Sequence, residues 1–366
     1  FFLDAGHMSP MFYAVLALCG KFTMEDLRGF RQWGSATPGH PELDVPRGIE
    51  NSSGPLGQVH AYGAGAAIAA KFLEARLGNV VDHTIYAYIT DGGIQEEISQ
   101  GVGRIAGHLG LSNLIMFYDA NQIQLSTTTS EVTSEDVAKK YEAWNWKVIE
   151  IDGNDAEQIR AALTEAKAEK ERPTLIIGNT VMGKGALKGD GTSFESQLST
   201  HGQPLSAAGG DFARTVAGLG GDPENPFVIF PQVKELYEKR RLALQAIVAD
   251  KRRREREWAR MNPVLAGKKA RWFGRELPEI NWSAIEQKPV NATRASSATV
   301  LSVLAQQVDN MIVASADLSN SDKTDGFLKQ TKPLRKGDFS GAFLQMGVAE
   351  FTMSAVCIGI ALHGGV

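Results

Sequence analysis

The sequence is short of cysteine, of long apolar runs and of charge of one sign, and each shortage removes a class of protein. Only Cys19 and Cys357 occur in 366 residues, far apart, so neither a zinc-ligand pattern nor a disulfide framework can be built from them. Two buried or incidental thiols in a reducing compartment are expected. No stretch approaches about 18 consecutive apolar residues, so neither a transmembrane helix nor a membrane partner is expected. A formal net charge of −4 lacks the basic excess of a general nucleic-acid binder, and no nucleic-acid partner is expected. The opening residues Phe1-Phe2-Leu3-Asp4 carry no cationic start of a secretory signal, which makes the cytoplasm the expected location. What is plentiful is glycine: 38 residues, a share that marks backbone positions needing positive φ or close approach to a ligand.

Short β-rich runs alternate with helical patterns, which predicts an α/β fold built on a mostly parallel sheet flanked by helices. The expected strands are Thr84–Ile89, Leu114–Tyr118, Val148–Ile151 and Thr174–Ile177, with a helix over 156–170 between the last two. A long helix over 233–261 ends in Lys251-Arg252-Arg253-Arg254-Glu255-Arg256, a run read as a solvated face. Pro263, Pro278 and Pro289 then punctuate a stretch read as irregular, giving a first domain over 1–257, a linker over 258–290 and a second, incomplete α/β domain over 291–366. The second domain is expected to have a strand at Met311–Ala314 and a loop with Asp317. Both ends of the chain look cut.

Ligands of parallel sheets bind outside the carboxyl ends of the strands. Two expected strands end in oxygen donors, at Asp91 and at Asn121. A diphosphate needs a hard divalent cation, and Mg²⁺ accepts few protein ligands if phosphate and water complete its octahedron. One carboxylate, one amide oxygen and one backbone carbonyl suffice, while Gly92 lets the backbone approach a phosphate. Alone, an Asp-Gly pair after a strand is ordinarily a turn. Its neighbours decide the matter.

Phe30-Arg31-Gln32-Trp33-Gly34-Ser35-Ala36-Thr37-Pro38-Gly39-His40-Pro41-Glu42, Gly54-Pro55-Leu56-Gly57-Gln58 and Thr90-Asp91-Gly92-Gly93-Ile94-Gln95-Glu96-Glu97 follow one another in this order. Ala5-Gly6-His7-Met8-Ser9, Asp119-Ala120-Asn121-Gln122-Ile123, Thr200-His201-Gly202-Gln203-Pro204-Leu205, Ser315-Ala316-Asp317-Leu318 and Gly347-Val348-Ala349-Glu350 extend the set. The succession resembles the transketolase family along nearly the whole chain. The resemblance implies a thiamine-diphosphate-binding fold, with a diphosphate-binding domain followed by the start of a pyrimidine-binding domain. It implies reversible transfer of a two-carbon ketol unit from xylulose 5-phosphate to ribose 5-phosphate, through a thiamine diphosphate ylide, in the pentose phosphate pathway. Asp91, Asn121 and the Ile123 carbonyl would hold Mg²⁺ (or Ca²⁺), with Gly92 against the diphosphate. Gly54 and Leu56 would lie beside the cofactor, and Asp317 and Leu318 would touch it from the second domain.

Glu350 matches the glutamate that contacts the pyrimidine ring of a cofactor held by the partner chain, so a homodimer with active sites at the interface is implied. The residue follows a short apolar strand expected over 342–348 and opens a helix, which predicts a partly desolvated carboxyl able to share a proton with a ring nitrogen. By the same resemblance His7, His40 and His201 would move protons on the sugar substrates, Glu96 would couple sites across the dimer interface, and Arg294 and Ser321 would grip the sugar phosphate. His60, His83, His108 and His363 have no such support and are read as ordinary residues.

The sequence also departs from the family pattern. Glu350 is flanked by Ala349 and Phe351 where Arg and His are usual, Met8 replaces a small residue, and 207–230 departs most. The family's aromatic clamp, its third domain and a further substrate histidine would lie outside the sequence. Another thiamine diphosphate enzyme, a dihydroxyacetone synthase or phosphoketolase, is the first alternative. A non-catalytic cofactor-binding relative is the second, against which the presence of Asp91 and Glu350 speaks.

Overall fold

Runs of β-branched and aromatic residues become strands, and those of the larger sheet all lie parallel. In the computed structural model, which describes residues 1–366, β1 (Phe2–Leu3), β2 (Ile85–Thr90), β3 (Leu114–Ala120), β4 (Lys147–Asp152) and β5 (Thr174–Asn179) are ordered β1-β2-β3-β5-β4. Parallel neighbours need crossovers, and helices supply them. The helix Gln58–Leu77 joins β1 to β2, Glu97–Leu109 joins β2 to β3, Val137–Ala143 joins β3 to β4, and Ala156–Ala168 joins β4 to β5. The register pairs Thr90 with Asp119 and Ala120 with Asn179, so the central strands end side by side. Side chains on both faces of β2 and β3 are largely covered, as a sheet with helices on each side requires.

The second module is smaller. It holds the helix Thr293–Gln307, a two-stranded parallel sheet of β6 (Val313–Ser315) and β7 (Phe343–Gln345), and the helix Glu350–His363. It shares its core with the first: Val313, Phe327, Phe343 and Ala355 belong to the same buried cluster as Ile68, Val102 and Met116. Two features bind the modules. The helices Gln58–Leu77 and Glu350–His363 meet backbone to backbone, because a Cβ on Gly65 would come within 2.2 Å of the Val356 carbonyl oxygen, and one on Gly359 within 2.6 Å of Tyr62 Cα. Arg76 stacks 3.4 Å over Phe72 and its guanidinium donates to the carbonyls of Asp309, Phe339, Ser340 and Gly341 at 3.0–3.3 Å.

The stretch read as irregular from Pro263 opens with a helix, Pro263–Phe273. Proline is at home in a first helical turn, where its missing N–H has no partner to lose. The charged Pro231–Met261 helix buries no residue, and Arg253 is tied to Asp250 and Glu257, which fits a solvated face. β7 is shorter than the apolar run 342–348 because Gly347, at φ +67°, turns the chain out of the sheet.

Candidate active site at the strand ends

The carboxyl end of β2 delivers Asp91 directly into a short helix, Asp91–Gln95, and almost wholly buries it. Its Oδ1 accepts the Tyr118 hydroxyl at 2.6 Å, and its Oδ2 accepts the Gln122 N–H at 3.0 Å. Burial pushes the carboxyl up, while these two donors pull it back towards the ionised form. The loop after β3 is held by Asn121 Oδ1, which accepts the Ile123 N–H at 2.9 Å, and by a positive φ at Gln122. Asp91 is therefore tied to the Asn121–Ile123 loop through the Gln122 N–H. No group of three or more His, Cys, Asp or Glu side chains is placed to cage a metal. A Mg²⁺ ion that takes part of its shell from a diphosphate needs no such cage, and a carboxylate with an amide and a carbonyl oxygen fits it.

Around this cluster the other motifs of the first module close in. Gly92 lies under Leu56, whose Cδ1 would be 2.8 Å from any Cβ at 92, and Gly57 lies against Glu96 in the same way at 2.6 Å. Gly54, at φ +123°, and Gly6 leave the groove in which the His40 ring sits; a Cβ on Gly6 would come within 1.6 Å of that ring. The His7 and His201 rings are 4.4 Å apart, tilted by 51°. Burial, then the neighbouring His201 and His40, push His7 down to about 4. Burial also lowers His201, against a backbone interaction with Ile123 that raises it. At neutral pH His7 is an uncharged imidazole that can accept a proton.

The residues of the second module lie elsewhere on this chain. Asp317, at φ +68°, lines a cavity with Arg104 and His108, towards the end of the Glu97–Leu109 helix remote from Asp91. Arg294, Leu318, Ser321 and Glu350 are exposed. Desolvation of Glu350, expected from its apolar surroundings, is absent on this chain: the residue opens its helix at the surface, between Val348 (78% exposed) and Phe351 (67% exposed). The apolar neighbours are present but face solvent.

Sequence reading passed over Tyr118, Gln122 and Asp4. Tyr118 stands within a strand three residues before Asn121, and Asp4 is a charged residue between apolar Leu3 and Ala5, just before the Gly6-His7 motif. A charge in a strand context was the available signal.

A parallel sheet whose strand ends gather hard oxygen donors, a glycine loop and neutral imidazoles defines an α/β cofactor-binding protein. Comparison with known proteins narrows the class. The transketolase thiamine diphosphate binding domain matches residues 1–278, and the transketolase pyrimidine binding domain matches 290–366. Transketolases of Streptococcus pyogenes and Bacillus subtilis are 38% and 37% identical over all of this chain, which covers 50% and 55% of their lengths. A solved transketolase from Leishmania mexicana aligns over 100% of this chain and 55% of its own, with a TM-score of 0.91 at 33% identity. The Pichia stipitis transketolase in complex with sedoheptulose-7-phosphate covers the same shares with a TM-score of 0.90 at 34% identity. The chain belongs to the transketolase family. It spans about half the length of the curated relatives it matches.

Proposed function

We propose that the protein is a thiamine-diphosphate- and Mg²⁺-dependent transketolase, which moves a two-carbon ketol unit from xylulose 5-phosphate to ribose 5-phosphate in the pentose phosphate pathway. The observation that carries this reading is the convergence of Asp91, the Asn121–Ile123 loop, Gly92, Leu56, His7, His40 and His201 at neighbouring strand ends. When bound, thiamine diphosphate supplies the carbon nucleophile for the ketose carbonyl. Asp91, Asn121 and the Ile123 carbonyl would hold the Mg²⁺, and Gly92, which has no side chain, would lie against the diphosphate. His7 and His201, kept neutral by burial, accept and return protons at sugar hydroxyls, with His40 braced against Gly6 and Gly54 to do the same. Arg294 and Ser321 grip the sugar phosphate.

A homodimer follows from the placement of Glu350, Asp317 and Leu318. Asp317 lies towards the far end of the Glu97–Leu109 helix from Asp91, and Glu350 sits between exposed Val348 and Phe351. An apolar surface of this kind calls for cover. A partner's diphosphate site covering it desolvates Glu350 and lets its carboxyl share a proton with the cofactor's pyrimidine ring. Glu96 lies against Gly57 and would couple the two sites across the interface.

Product analysis by mass spectrometry tests the reaction. The full-length protein with thiamine diphosphate, Mg²⁺, xylulose 5-phosphate and ribose 5-phosphate should yield sedoheptulose 7-phosphate and glyceraldehyde 3-phosphate. Acetyl phosphate would reassign it as a phosphoketolase, and no turnover with cofactor bound would make it a non-catalytic relative.

A further inference from the structure

Asp4 is wholly buried at the end of β1, and half of its carboxylate has no partner. Its backbone N–H donates to the Tyr88 carbonyl at 3.0 Å, and its carbonyl accepts the Gly54 N–H at 3.3 Å. Its Oδ1 accepts the Gly57 N–H at 3.0 Å. One residue thus fixes both ends of the Gly54–Gly57 loop. Its Oδ2 lies against Gly93, two residues past Asp91, where any Cβ would come within 1.8 Å of that oxygen. The carboxyl therefore sits where the β1 end, the loop carrying Leu56 and the turn carrying Asp91 and Gly92 all meet.

We propose that Asp4 is a positioning residue for cofactor binding, holding the Gly54–Gly57 loop against the Asp91–Gln95 turn through its buried carboxyl. The inference rests on the thiamine diphosphate reading above. An enclosed acceptor with no donor costs stability, and the acceptor for the Gly57 N–H is the part of the group that an amide would keep. Burial pushes the group up to about 7. The titratable groups facing it are Glu96, across Gly57, and Tyr141, from the Val137–Ala143 helix. The loop carrying Leu56, which packs directly on Gly92, and the turn carrying Asp91 are the two segments whose spacing Asp4 sets.

The test titrates thiamine diphosphate into the full-length protein with saturating Mg²⁺ by calorimetry, across the neutral range, for wild type, Asp4→Asn and Asp4→Ala. Asp4→Ala, which strands the buried Gly57 N–H, should weaken binding about tenfold. Asp4→Asn, which keeps an acceptor for Gly57, should restore wild-type affinity, and its pH profile should part from the wild-type profile near neutrality. Unchanged affinity in Asp4→Ala, or Asp4→Asn as weak as Asp4→Ala, would overturn the proposal. Should Asp4→Ala not fold, the Asn variant decides: loss of affinity, or a profile superimposable on wild type, overturns it. No binding by wild type would instead sink the cofactor reading, and this inference with it.

Discussion

At the scale of single residues, the site rests on groups whose charge is set by burial. Asp91 has no cationic neighbour and relies on the Tyr118 hydroxyl and the Gln122 amide to stay ionised. Asp91→Ala should therefore abolish Mg²⁺-dependent binding of thiamine diphosphate in calorimetric titration, and an unchanged affinity would refute the metal site. His7 gives a pH signature. Its ring titrates at about 4 in the fold against an ordinary 6.5, so the unfolded chain binds more protons between those values. Stability is full above about 6.5 and is lost as pH falls towards 4. The thermal midpoint of wild type should fall faster than that of His7→Gln across this window. Parallel curves would mean that His7 is not buried neutral.

At the scale of elements, much of the fold was legible because its strands are short uninterrupted apolar runs ending in Asp, Asn or Gly. β2, β3, β4 and β5 lie within two residues of where sequence places them. The motifs at 5–9, 90–97 and 119–123 sit just past the ends of β1, β2 and β3, where a parallel sheet collects its ligands. Four things were not legible. Asp4 gave no local sign of a role because its partner is a backbone N–H 53 residues away. The helix Pro263–Phe273 was hidden behind a proline at its start. The solvent exposure of Glu350 is a tertiary property, since local apolar residues say nothing about which surface covers them. The contact that aims Glu350 was equally invisible: Gly65 and Gly359 allow two helices to touch by backbone. Gly65→Ala must push those helices apart and should destabilise the protein by about 1–3 kcal/mol in chemical unfolding. A neutral effect would show that the helices are not held this closely.

For the whole molecule, Arg76 fastens the second module to the first through carbonyls of the 309–341 segment. Lysine has no fork with which to reach several carbonyls at once. Both Arg76→Ala and Arg76→Lys should therefore loosen the junction, at a cost on the order of 3 kcal/mol for the alanine. Hydrogen exchange that rises in Thr293–Gln307 and β6 but not in β2 or β3 would locate the effect. The junction matters because it fixes where Glu350 points. In the proposed dimer the site would draw Asp91 and Asn121 from one chain and Glu350 and Asp317 from another.

That shared site is the central claim, and mixing two inactive variants tests it most directly. Full-length Asp91→Ala and Glu350→Ala are each expected to lack ketol transfer, the first without metal-bound cofactor and the second with cofactor bound. When the two are unfolded together and refolded as a mixture, half the dimers pair one of each, and one of their two sites then holds both Asp91 and Glu350. Sedoheptulose 7-phosphate formation should return to about a quarter of the wild-type rate per chain. Mixed dimers that form yet stay inactive would show that each site is built from one chain alone, and would contradict the account.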